Sequence, residues 1–258
     1  MAHNEHQTFA RPASIISACS MSLMFLEYAD EHLSLFGKAL VEPIEIFASF
    51  TCIRSMLEAC SIVVWIADPA IDAKERVARV FAHRYEGLEQ QLKCARSFGA
   101  TPGELDKMKA HTDTVEQQAI AVGYPPLLNT KGDRKGIGTV MPPATDLIRL
   151  SLGEEPMYRL LSAVAHAHHW ALGQLGFRVP SVPPATIGTT PLHHLEKDVK
   201  IGVLANVALL GIGAFSKSLW HFSQYMNWDR TETVSVFEKV FDTLQVKESE
   251  RFWRSASA

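Results

Sequence analysis

The segment from Pro43 to Ala67 is apolar on nearly every side: Ile46, Phe50, Ile53, Leu57, Val63, Val64 and Trp65 leave no broad face for water. A helix with that pattern has to be enclosed by other elements all round. Glu42-Pro43 places a proline suited to a first helical turn, and Asp68-Pro69 ends the run. Both halves of the chain must supply the enclosing partners. One helical domain spanning residues 1–258 is therefore expected, with 1–11 and 247–258 frayed. A single narrow polar stripe, Thr51, Arg54, Glu58 and Ser61, interrupts the apolar helix.

The rest of the chain reads as further helices, with no strong strand alternation. Ile15, Ile16, Cys19, Leu23, Leu26 and Leu33 give an amphipathic helix over 12–36, closed at Gly37. Asp72-x-x-Glu75 resembles a capping box and opens a helix running to about Phe98. Thr101-Pro102-Gly103-Glu104 starts another, ending near Gly123. Residues 124–143, rich in proline and glycine, predict a long irregular loop, either a mobile surface segment or a lid. A short helix at 145–152 follows, then one from Pro156 to about Gly176. A second proline-rich connection, 178–191, leads to a long helix over about 194–228, and Asp229-x-x-Glu232 opens a last one to about Val246. The expected fold is all-α, a single helical bundle of about seven helices with two Pro/Gly-rich connecting loops.

Composition narrows the function classes. A net charge of −3 gives no global positive field for nucleic acid, so any such binding needs a local basic patch. Cys19, Cys52, Cys60 and Cys94 form no C-x-x-C pair and lie in apolar helical stretches, as expected of a reduced, cytoplasmic protein. The uncharged run 201–216 is shorter than the roughly 20 residues that span a bilayer, so a buried core helix and no membrane partner are expected. Phosphate-binding, dinucleotide-binding, hydrolase-elbow and zinc-protease motifs are absent. No Glu-x-x-His pair of a di-iron bundle is present, and neither metal nor cofactor is expected.

Chemistry-bearing residues concentrate in Tyr158-Arg159-Leu160-Leu161-Ser162-Ala163-Val164-Ala165-His166-Ala167-His168-His169-Trp170. On one continuous helix, Tyr158, His169, Ser162, His166 and Arg159 would fall within about 100° of arc. Histidine moves protons near neutral pH, and arginine holds phosphate or carboxylate in a fork. The stripe has no Lys, Glu or Asp, which suits a half-buried polar seam. Arg54 and Glu58, at i, i+4, form either a structural clamp or one wall of a pocket. Arg76 and Arg79 would help bind an anion if they turn inward.

The spacing Arg159-x6-His166, with Arg54-x-x-x-Glu58 on an earlier helix and Tyr158-Arg159-Leu160-Leu161-Ser162 before the histidine, resembles the signature of the HEPN superfamily of helical bundles. Its bacterial DUF5677 branch is the nearest in pattern. The resemblance covers about residues 40–175. It implies a homodimer in which Arg159 stabilises an RNA phosphate and His166 is the acid or base of metal-independent cleavage, with Ser162 and Tyr158 positioning substrate. It equally implies a non-catalytic binding module, since many HEPN-like proteins do not cleave. The alternative expectation is a bundle that takes a small anionic ligand in a pocket lined by Arg54, Glu58, Tyr158 and His166, with His169 nearby.

Overall fold

The computed structural model describes residues 12–175 and 199–243, with four short strands between them. The apolar segment forms α2 (Ile46–Ile66), following α1 (Pro12–Ala39). Pro43 does not open α2: the Glu42–Pro43 bond is cis and the helix starts three residues later. Phe50, Ile53, Met56, Leu57, Cys60 and Val63 of α2 are fully enclosed. The helices around it come from both sides of the 124–143 segment: α1 and α3 (Ala73–Ser97) before it, α5 (Ala144–Ser151), α6 (Glu155–Ala165) and α8 (Ile201–Met226) after it. One hydrophobic cluster joins Ala29 and Phe36 of α1 to Ile148, Leu161, Val207 and Ala214 through α2. Gly211 allows α8 its close approach, since a Cβ there would stand 2.6 Å from the Ile53 side chain and 2.8 Å from that of Met56.

The capping chemistry reads through to the structure. Asp72 accepts from the Glu75 backbone N–H at 2.7 Å and starts α3. Thr101 and Glu104 form a reciprocal capping box at the start of α4 (Pro102–Ile120). Gly99 takes the left-handed conformation, φ +75°, that turns α3 into α4. The two helices share a smaller core of Val77, Phe81, Tyr85, Val115 and Ala119.

The expected irregular loop at 124–143 is corrected. It holds an antiparallel hairpin of β1 (Pro126–Leu128) and β2 (Arg134–Ile137), with Leu127 opposite Gly136. Asn129 Oδ1 accepts from the backbone N–H groups of Lys131 and Asp133, and Gly132 turns the chain at φ +83°. Ile137 is fully buried in the α3–α4 core. Arg134 fastens the hairpin to α4 through Glu116 at 2.8 Å and Asp113 at 3.2 Å.

After α6 come α7 (His169–Gln174), β3 (Phe177–Arg178), β4 (Ala185–Ile187), β5 (Thr190–Leu192) and β6 (Glu196–Lys197). β3 pairs with β6 and β4 with β5. The long helix expected from 194 begins as α8 at Ile201, and α9 (Thr231–Thr243) follows Asp229, whose carboxylate accepts from the Thr231 N–H. The all-α class holds, with nine helices among the described residues against about seven expected. α2 and α8 are both long and apolar enough to cross a membrane by length and composition; 56% of the α2 window and 33% of the α8 window are buried within the fold. The expected frayed ends, 1–11 and 247–258, lie outside the described residues.

Candidate functional site

The polar stripe of α2 meets α6 through a tyrosine. Tyr158 donates its hydroxyl to Glu58 Oε1 at 2.6 Å. Arg54 Nη2 holds the same oxygen at 2.8 Å and donates to the Tyr158 hydroxyl at 3.5 Å, with its guanidinium 5.6 Å above the ring. Burial pushes the Tyr158 phenol up to about 12, and the Glu58 carboxylate reinforces the shift. Arg54, Glu58 and Tyr158 thus largely satisfy one another, although Arg54 Nε is buried without a hydrogen-bond partner.

Arg159 does not join them. It points to solvent, 63% exposed, and its Nε donates to Glu155 Oε1 at 2.8 Å. α6 has to turn Tyr158, Leu161 and Val164 toward the core, which rotates its next residue outward. Ser162 is half-buried on this helix.

The continuous histidine helix is also corrected. α6 ends at Ala165, and His166 is its C-cap. Ala167 sits at φ +54°; its N–H bonds Val164 O, and the His168 N–H bonds Ala163 O. These are the paired bonds of a Schellman turn, with alanine where glycine is usual. His168 becomes the N-cap of α7, so His169 no longer shares a helix face with Tyr158. The turn returns Ala171 and Leu175 to the central core. His166, His168, His169 and Trp170 are all exposed, with the first two rings 6.4 Å apart.

Arg76 and Arg79 do turn inward, but backbone oxygens receive them. Arg76, 0% exposed, donates to the carbonyls of Ile66, Asp68 and Ile71, and its guanidinium lies 4.1 Å from the Tyr225 ring centre. Arg79 donates to Trp65 O at 2.6 Å and to Glu75 Oε1 at 2.9 Å. Two α3 arginines therefore cap the C-terminal end of α2, where unpaired carbonyls and the negative end of the helix dipole meet.

Two features carried no sequence signal strong enough to single them out. Arg149 Nε lies 3.5 Å from Glu155 Oε2, so Glu155 is held by Arg149 on one oxygen and Arg159 on the other. Lys217 and His221, one turn apart on α8, face the Asp68 end of α2. Burial, with the Lys217 charge adding, presses His221 down to about 4, while Asp68 opposes the shift; its Nδ1 is buried without a partner. A trace was visible in these polar residues within an otherwise apolar helix.

A cleft of about 660 Å³ lies between α8 and α9, lined by Trp220, Trp228, Arg230 and Glu238 among others. A smaller one of about 340 Å³ lies beside Asp72, Tyr124 and Gly138. Neither is lined by Arg54, Glu58, Tyr158 or His166. Among the described residues, no group of three His, Cys, Asp or Glu side chains is placed to hold a metal ion; His193 and His194 lie outside them. Comparison with protein-family models, curated proteins and solved structures returned no match.

Proposed function

We propose that this chain is a HEPN-like helical module that binds single-stranded RNA through the solvent-facing Arg159–His166 surface. The observation that carries the reading is the division of the polar residues. Arg54, Glu58 and Tyr158 close on one another, while Arg159 and His166 are left open to solvent at the end of α6. Arg159 supplies a guanidinium for a phosphate, and its bond to Glu155 is an exposed i, i+4 pair of small energy. His166, His168 and His169 add imidazole donors, and Trp170, 54% exposed, offers a stacking surface for a base. A homodimer pairing two such faces is the form in which one His166 would take the proton of a ribose 2′-hydroxyl as it attacks the phosphorus and the other would protonate the 5′-oxygen that leaves as the P–O5′ bond breaks, giving a 2′,3′-cyclic phosphate and a 5′-hydroxyl end.

The test is fluorescence anisotropy of a labelled oligouridylate with wild type, Arg159→Ala and His166→Ala, at several salt concentrations. Two phosphate contacts per site give a log–log salt slope of about −1.4. Wild type is expected to bind with about that slope and both variants to bind more weakly. Salt-independent binding, or equal binding by all three proteins, refutes the reading. Gel analysis of the same mixtures reports strand cleavage, which His166→Ala should abolish wherever it occurs.

A further inference from the structure

The α5–α6 corner is tight. Gly153, at φ +79°, donates to the carbonyls of Ile148 and Arg149 and closes α5. Only 152–154 separate the two helices, which sets Arg149, in the last turn of α5, beside Glu155, the first residue of α6. Arg159 lies one turn further along α6. The Glu155 carboxylate then takes Arg159 Nε on Oε1 at 2.8 Å and Arg149 Nε on Oε2 at 3.5 Å. Arg149 is also tied to Asp146 Oδ1 at 3.2 Å. Two guanidiniums therefore grip the two oxygens of one anionic centre.

We propose that Arg149 and Arg159 form a two-arginine site for a phosphodiester, and that Glu155 is its internal occupant, displaced when ligand binds. A phosphodiester carries the same single negative charge as a carboxylate and offers two non-bridging oxygens on one atom. Guanidinium recognises both groups through the same forked N–H geometry. Displacement is feasible because the side chains of Arg149 and Arg159 are 50% and 63% exposed and their carboxylate contacts lie in solvent, where such pairs contribute little. Asp146 remains on Arg149 Nη2, next to the Nε that Glu155 vacates, and orients the side chain. Glu155 thus tunes affinity: it keeps the arginines extended toward the ligand position while competing for them. This inference rests on the reading of Arg159 as a phosphate ligand and adds Arg149 as its partner and Glu155 as its competitor.

The experiment measures oligouridylate affinity by anisotropy for wild type, Glu155→Gln, Arg149→Gln, the Glu155→Gln/Arg149→Gln double variant, and Asp106→Asn. Asp106 is an exposed residue of α4 whose loss changes net charge by the same amount away from the corner. Circular dichroism and thermal melting select folded variants. Glu155→Gln keeps side-chain size and is expected to tighten binding by about three- to tenfold at low salt, where screening is weakest. Arg149→Gln should weaken it, and the double variant should lose the gain. Equal tightening by Asp106→Asn would assign the effect to net charge and overturn the proposal. Unchanged affinity in Glu155→Gln, with binding that still depends on Arg159, would overturn the proposal and leave the RNA-binding reading intact. If neither wild type nor Glu155→Gln binds RNA, both fall together.

Discussion

Arg76→Met probes the cap that α3 places on α2. Arg76 is fully enclosed, and its substitution strands acceptors that no single change can remove, because they are backbone oxygens. The Ile66 carbonyl is the most enclosed of them; leaving it unpaired costs about 1–3 kcal/mol. The Asp68 and Ile71 carbonyls are partly exposed and regain water, at about 0.5 kcal/mol each. Loss of the cation over the Tyr225 ring removes about 1 kcal/mol. Methionine fills much of the volume and carries no buried charge, which offsets part of the sum. The expected net loss is about 3 kcal/mol, a large fraction of the stability of an ordinary domain. Urea unfolding measures it directly, and the melting temperature should fall by about 6–12 °C. Arg76→Lys keeps the charge but loses the planar fork and should fall between the two. A loss below about 1 kcal/mol in Arg76→Met, with an unchanged denaturant slope, would refute the view that this arginine closes the end of α2.

Ala167→Gly should stabilise the chain by about 0.5–1 kcal/mol, because a left-handed alanine is replaced by the residue suited to that conformation; lower stability in urea would refute the Schellman turn. Gly211→Val should destabilise by at least about 2 kcal/mol, since Ile53 and Met56 are fully enclosed and cannot retreat from the added atoms. The His221 pKa is depressed in the fold, so the unfolded chain binds the extra proton first. Its contribution to stability is complete above about pH 6.5 and is lost as pH falls toward 4. His221→Phe should flatten that acid-side decline in unfolding experiments, and its ring signal in wild type should titrate near 4 by NMR. The Tyr158 phenol has the opposite sign: its elevated pKa makes the fold lose stability between about pH 10 and 12, a loss that Tyr158→Phe should reduce.

Legibility in the sequence followed the range of the interaction. The α3 and α4 starts were readable because a cap spans four residues, as in Asp72 to Glu75 and Thr101 to Glu104. The hairpin at 126–137 was not, because strands of three and four residues carry too little alternation to register. The break at Ala167 was hidden for a different reason: alanine and histidine are acceptable helix residues, and the core position of Ala171 and Leu175 decides the turn. Within the candidate site, Arg54 and Glu58 were legible as an i, i+4 pair with Tyr158 among their expected neighbours, whereas the exposure of Arg159 and His166 was not legible, because it depends on the rotation and the end of α6.

The sequence by itself determined a predominantly helical chain with one helix, 46–66, apolar on all but a narrow stripe and so in need of apolar surroundings. It also determined that arginine, glutamate, tyrosine and histidine would gather on α2 and α6. Only the tertiary structure decided which of them meet. Tyr158 and Glu58 are 100 residues apart, and their bond depends on the rotation of α6, set by Leu161 and Val164 seeking the core. That one rotation sends Tyr158 inward to Glu58 and Arg159 outward to Glu155. Rotation about a helix axis is settled by the sum of all buried contacts, which no local pattern contains.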